Sequence, residues 1–347
     1  MQPNAAPSWS VVATVAEPLP LLMAFVAHHV SLGAREVILH LDTPDAEAER
    51  VLGAVPGCVI VPPGDRAAGV HMPTPMRQAR NATQTYRTVQ AEWLLHIDAD
   101  EFLVDIDHVM RALRSAPAEV MGVGVRPCDR FWLSETPPET IFDGQFRTVP
   151  HPPQPFDVEA VYGDAARYLD LGLSGNAADK CFTRTGQALD IGVHRPARPD
   201  GTPVPIHVMS RATLLHFDGL TPAHFIAKMA RKIEQQPNWS AFPAPGRRAQ
   251  LVALWQAGRD QAVRDRLVRD TKCVTPEQRA ALAEAGRLDA RSFDPTPALR
   301  AVFGSVPDLS VAAFDARALP ARRIGAFERL RNTVRSMRRL KRKTPGA

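Results

Sequence analysis

"AEWLLHIDADEFLVDID", residues 91–107, decides the fold. An apolar run ending at Ile97 gives way at once to Asp98, Ala99, Asp100 and Glu101. The short apolar stretch 92–97 predicts a buried strand. Three carboxylates packed at its exit predict a place for a cation, because like charges so close repel unless something offsets them. A second Asp-x-Asp follows at Asp105 and Asp107, so the pattern alone does not choose between the two. Position does. Ligands of a parallel α/β sheet bind beyond the carboxyl ends of its strands, where Asp98 and Asp100 stand. Asp107 opens the helix predicted over 107–116, and capping its first turn is sufficient reason for it.

Working outward, strand-like and helix-like segments alternate: strands over 9–16, 36–41, 57–61, 92–97 and 120–125, helices over 19–33, 45–55, 74–91 and 107–116. This pace predicts a mainly parallel central sheet with helices on both faces. Prolines and glycines crowd 126–205, but aromatic residues persist, so loops and short strands are expected there. A strand over 211–217 and a helix over 221–236 with Thr221 as N-cap follow. Residues 246–290, rich in Ala, Arg and Gln, predict a helical region.

The whole-chain charge of +5 misleads, because residues 322–343 carry ten Lys or Arg and one Glu and leave the remainder net negative. A nucleic-acid-binding domain would spread basic residues over a folded face, so none is predicted. Cys58, Cys128, Cys181 and Cys273 form no C-x-x-C pair, which disfavours a zinc or disulfide framework and suits a reducing compartment. With no signal-peptide pattern and no membrane-length apolar run, a cytoplasmic location is expected. The P-loop, G-x-G-x-x-G, G-x-S-x-G and H-E-x-x-H patterns are absent.

"RQARNATQTYRTVQAEWLLHIDADEFL" resembles the nucleotide-sugar half of family 2 glycosyltransferases, in which a helix bearing Ala-Arg-Asn leads into a strand ending in Asp-x-Asp. "VVATVAEPLPLLMAFVAHHVSLGAREVILHLDTPD" is similar to the opening of a subgroup of that family, with Val-Ala-Glu where Lys-Asn-Glu is usual. "DKCFTRTG", "IGVHRP" and "LLHF" followed by a helix bearing Lys228 resemble its later landmarks more loosely. The resemblance implies a GT-A-like nucleotide-diphospho-sugar transferase fold. Residues 1–125 would be the nucleotide-sugar half, 126–240 the acceptor half, 241–320 a helical C-terminal region and 321–347 a basic amphipathic tail. It further implies a UDP-linked donor and Mn²⁺ or Mg²⁺ held by Asp100, with Asp98 contacting the ribose or the metal's waters. Asp42 would meet the uracil, Glu17 would line the same pocket and Arg80 would lie near the nucleotide; a plain surface arginine is the alternative for Arg80. Lys180 matches a basic position and would meet phosphate.

A late histidine often completes such a metal site, and His216, in a His-x-x-Gly sequence, and His194, beside a glycine turn, are the choices; a core histidine is the alternative for each. His28 and His29 are explained as cations at a helix C-terminus. Inversion at the anomeric carbon needs a base, for which Asp179, Glu135 and Asp129 compete without a spacing argument. The expected reaction moves a sugar to a saccharide or lipid-linked acceptor. A non-catalytic scaffold is a second reading, and a sugar-nucleotide nucleotidyltransferase ranks below, lacking a glycine-rich basic loop. Along 322–343, Phe327, Leu330, Val334, Met337 and Leu340 share one helical face against Arg and Lys, which predicts an anionic membrane surface as partner at the inner leaflet, or a docked terminal helix.

Overall fold

Strand β1 (Trp9–Val15) is almost wholly buried and lies between two parallel neighbours, β2 (Val37–Leu41) and β4 (Trp93–His96). The computed structural model describes residues 6–63, 72–235, 240 and 242–318. In chain order the first half is completed by α1 (Leu19–Ser31), α2 (Ala46–Leu52), β3 (Cys58–Val61), α3 (Thr74–Tyr86), β5 (Glu101–Leu103) and α4 (Ile106–Ser115). Next come β6 (Gly122–Leu133), β7 (Gln145–Arg147), α5 (Val158–Tyr162), β8 (Lys180–Arg184), β9 (Asp190–Ile191), β10 (Pro196–Ala197) and β11 (Ile206–His216). The C-terminal part holds α6 (Pro222–Gln235), α7 (Pro245–Ala257), α8 (Gln261–Lys272), β12 (Cys273–Val274), α9 (Pro276–Glu284), β13 (Leu288–Asp289), α10 (Thr296–Phe303) and α11 (Val311–Ala318).

The main sheet runs β13-β7-β6-β8-β4-β1-β2-β3, with β11 against β6 and β5. Parallel pairing, expected for most of the sheet, holds from β3 to β4 and between β6 and β11. The pairs β4–β8, β6–β8, β6–β7 and β5–β11 are antiparallel, so the sheet is mixed. For β6–β7 the cause is connection length. The first strands are linked by helices that return the chain to the same end, whereas between β6 and β7 there is only a short link, which gives antiparallel partners. β6 also runs on past Val125, where proline and glycine had suggested loops. Pro127 has no N–H to donate, and the register slips beside it: Ala212 faces Arg126 and Leu214 faces Pro127, which skips Thr213. The bulge absorbs the missing donor.

Two local readings change. The α4 helix starts at Ile106, and Asp105 takes the cap position with φ 55° and no side-chain capping bond. Its carboxylate instead pairs with Arg291 at 2.8 Å and Arg211 at 3.2 Å, while Asp107 is an exposed first-turn residue. His28 and His29 are not helix-end cations. His28 Nε2 lies 2.6 Å from the carbonyl of Leu103, and His29 Nδ1 lies 2.9 Å from that of Phe25. Burial pushes His28 down to about 4 and His29 well below its ordinary value. Neutral rings bound to backbone carbonyls fit the core.

Beneath the sheet's carboxyl edge, Phe102 packs against Phe142, Phe217 and Phe293 at centroid separations of 5.4, 5.6 and 4.6 Å. Phe102 follows Glu101 and Phe217 lies between His216 and Asp218, so the alternation of an extended chain anchors one side in the core and turns the polar neighbours the other way. Among the described residues no helix is long and apolar enough to cross a membrane.

Candidate functional site

Register alone brings the charged residues together. β8 runs antiparallel to β4 with Cys181 opposite His96, so Lys180 arrives at the end of β4, beside Asp98. β11 pairs His216 with Glu101 of β5 on one side and with Asp129 of β6 on the other. The amide of Phe217 donates to the carbonyl of Asp100 at 2.8 Å and fixes the two chain segments to each other.

The ligating atoms of Asp100, His216 and Asp218 all lie within 4.8 Å of one another, and all three residues are buried. His216 Nε2 is 4.0 Å from Asp100 Oδ1, too far for a hydrogen bond, so neither group satisfies the other. One imidazole and two carboxylates form a donor set suited to a divalent ion, and the residues present fit one. Lys228, two turns into α6, reaches back to Asp100 at 2.5 Å and Asp218 at 3.1 Å, and Arg247 holds the other oxygen of Asp218 at 2.5 Å. Burial alone would push the Asp218 carboxyl up, but Arg247 and Lys228 outweigh it and hold it well below the carboxylate range. The same carboxylates hold the Lys228 ammonium well above its ordinary value, against burial.

Asp98 belongs to an adjoining group. Lys180 is 2.9 Å from its carboxylate and 3.4 Å from that of Glu101, and Gln78 Nε2 donates to Asp98 at 2.7 Å. Burial raises the Asp98 carboxyl, and Lys180 more than reverses this. Glu17 is half-buried after β1; its carboxylate accepts from the amide of Ala16 at 2.7 Å, and burial, with the Asp100 charge adding to it, raises its carboxyl.

The structure therefore brings Asp100 and His216 together and leaves Asp98 and His194 outside that triad. His194 accepts from Asn176 at 2.9 Å and lies 3.3 Å from the carbonyl of Asp179. Asp42, at the end of β2, is gripped at both oxygens by Arg77, each at 2.8 Å. Arg80 is exposed and lines a groove on the outer side of α3, not the carboxylate cluster. Asp179 precedes Lys180 and pairs with Arg195 at 3.3 Å, and burial raises its carboxyl against that pull. Glu135 is exposed, two residues past the end of β6.

Asp129 is buried in a second ionic nest. Arg147 reaches it at 3.2 Å, Lys272 at 3.8 Å, and Ser174 donates to it from both amide and hydroxyl. Burial raises the Asp129 carboxyl, but Lys272 and Arg147 leave it below the ordinary range. Burial pushes Lys272 down to about 8.

Asp218 and Arg247 were missed by the sequence reading. A signal for Asp218 was available, since residues two apart on an extended chain share a face and His216 was already singled out. Arg247 gave none. Gly219 ends this segment at φ +76°, and a Cβ there would fall 2.6 Å from Cβ of Phe225. Gly219→Ala should therefore lower stability by about 1–3 kcal/mol through strain at positive φ, read as a shift in urea midpoint; an unchanged midpoint would refute the close approach.

No protein-family model matches the chain, and no curated protein does. Among solved structures it is similar to glucosyl-3-phosphoglycerate synthase from Mycobacterium tuberculosis, in complex with Mn²⁺, uridine-diphosphate-glucose and phosphoglyceric acid. Identity is 14%, over 36% of this chain and 45% of that one, with a TM-score of 0.27. TarS 1-349 of S. aureus matches at 11% identity over 95% and 91%, TM-score 0.32. HddC from Yersinia pseudotuberculosis matches at 10% over 63% and 96%, TM-score 0.33. The chain spans about half the length of the first structures it matches, 53% and 46%. Superpositions this loose carry no argument, and strand order decides. Four parallel strands in the order β3-β2-β1-β4 continue into an antiparallel β8, and the carboxylates gather at the ends of β4 and β11. The fold is GT-A-like.

Proposed function

We propose that the chain is a metal-dependent, inverting glycosyltransferase that moves a sugar from a UDP-linked donor to a saccharide or lipid-linked acceptor. The observation that carries this reading is the convergence of Asp100, His216 and Asp218 beyond the strand ends, where ligands of such sheets bind. These three residues would hold Mn²⁺ or Mg²⁺. Bound there, the ion would supply Lewis-acid stabilisation of the departing diphosphate. Lys180 and Lys228 flank the carboxylates and are placed to neutralise phosphate charge. Asp98, oriented by Lys180 and Gln78, is free to accept from a ribose hydroxyl through its exposed edge. Glu17 and Asp42, at the ends of β1 and β2, border the same crevice, with Arg77 fixing the Asp42 carboxylate. Asp179 is the base in this scheme: it stands beside Lys180, its ion-pair partner Arg195 is exposed, and burial raises its carboxyl, whereas Glu135 is solvated and Asp129 is locked between buried Arg147 and Lys272.

The anionic membrane contact expected of residues 322–343 falls outside the described residues and rests on their sequence pattern alone. One observation favours the scaffold reading: Lys228 already bridges Asp100 and Asp218, so the carboxylates have an internal counterion. A panel of nucleotide-sugars separates the two. Slow, metal-dependent release of UDP from at least one UDP-sugar is expected, and no release from any donor would favour the scaffold.

A further inference from the structure

A groove of about 780 Å³ lies between α3 and the β9–β10 hairpin, away from the carboxylate triad. Four arginines, Arg80, Arg87, Arg195 and Arg198, line it against one acid, Asp190. Arg87 pairs with Asp190 at 3.1 Å and Arg195 with Asp179 at 3.3 Å. Nothing comparable holds Arg80 or Arg198, both exposed: neither guanidinium has an ion pair among the described residues.

Each wall of the groove is bonded to a residue beside the site: α3 to Asp98 and the hairpin to Asp179. Helix α3 gives Gln78 to Asp98 and, two residues later, turns Arg80 outward. The seven residues from Arg80 to Arg87 span about 10 Å of helix, so the arginines are spread along a track that starts at the site end of α3. The hairpin is held to α3, to β4 and to the start of β8 by fixed bonds. The amide of Ile191 donates to Thr83 Oγ1 at 2.8 Å, His96 bonds the carbonyl of Gly192 at 3.0 Å, and Arg195 binds Asp179, the neighbour of Lys180. A solvated basic face needs no such frame. Guanidinium groups spaced along a concave, tethered surface present paired N–H donors that match the oxygens of phosphate or carboxylate.

We infer that this groove binds an anionic saccharide chain, carrying phosphate or carboxylate groups, as the acceptor of the transferase. Calling the chain an acceptor rests on the transferase reading; the binding itself does not, and is measured without metal or nucleotide.

The test uses the full chain and three fluorescein-labelled probes: a glycerol-phosphate oligomer, an oligogalacturonate and a neutral maltooligosaccharide. Fluorescence anisotropy should show binding of at least one anionic probe and none of the neutral one, and the preferred probe tells phosphate from carboxylate. Arg198→Glu should weaken that binding about tenfold, one charge-assisted contact's worth, and Arg87→Glu with Arg198→Glu should weaken it further. Because the basic tail attracts anions too, Arg331→Glu with Arg335→Glu, an equal change in net charge, is the control and should cost less than threefold. Loss of affinity in the tail variant equal to that in the groove variant would overturn the proposal. So would binding of the neutral probe as tight as the anionic ones, or no anionic binding at all.

Discussion

Asp100→Ala is expected to abolish metal-dependent nucleotide binding. Changing a group that merely orients a metal ligand costs about 10–100-fold in affinity, so removing a carboxylate ligand should cost about 100-fold or more. The fold should survive, because Lys228 keeps Asp218 as a partner at 3.1 Å and is not left as a lone buried charge. Calorimetric titration of UDP with and without Mn²⁺ reads the binding, and thermal melting checks the fold. Asp107→Ala is the matched comparison: it removes the other Asp-x-Asp from an exposed first turn and should leave the metal dependence intact. Equal metal-dependent affinity in Asp100→Ala and the unaltered chain would remove Asp100 from the site.

The largest loss of stability is expected from Asp129→Ala. Arg147 and Lys272 are 1% and 0% exposed at the side chain, and neither can turn to water. Removing the carboxylate leaves Arg147 an uncompensated cation in the interior and pushes Lys272, which burial already holds at about 8, to give up its proton; together these cost about 3–5 kcal/mol. The residual bonds from Arg147 to Tyr162 and to the carbonyl of Thr271, and from Lys272 to Ser174, replace hydrogen bonds but not the charge. Urea denaturation at neutral pH measures the change. A loss under about 1 kcal/mol would mean that water reaches the nest. Since His216 sits opposite Asp129 across the β6–β11 register, a weakened nest should also loosen the metal site.

The alternation from β1 to α4 was legible because each strand there is short, apolar and bounded by a helix that shows its own period. The Asp-x-Asp was legible because a strand exit is a physical position, and position separated Asp98 and Asp100 from Asp105 and Asp107. The rest depended on partners far away in the chain. Asp107 is no cap because α4 begins at Ile106 and Asp105 holds the cap position, with its own carboxylate taken by Arg291, 186 residues on. Nothing near Asp42 in the sequence reveals that Arg77 takes both its oxygens from α3. The histidines of α1 looked like helix-end cations because nothing local reveals that β5 passes over them with a bare carbonyl. Pro127 looked like the end of a strand, since the bulge that accommodates it lies on β11. The contact of Lys228 with Asp100 spans 128 residues; a resemblance could mark the lysine, but only the register of β5 against β11 and the start of α6 at Pro222 could aim it.

Electron paramagnetic resonance of Mn²⁺ titrated into the intact chain with UDP present tests the central reading most directly, because free aqueous Mn²⁺ is counted as it disappears. One ion bound per chain, with the bound fraction lost in Asp100→Ala and in Asp218→Asn, is the expected result. A titration in which the chain with UDP binds no Mn²⁺, or binds it equally well after both substitutions, would contradict a metal site built from Asp100, His216 and Asp218.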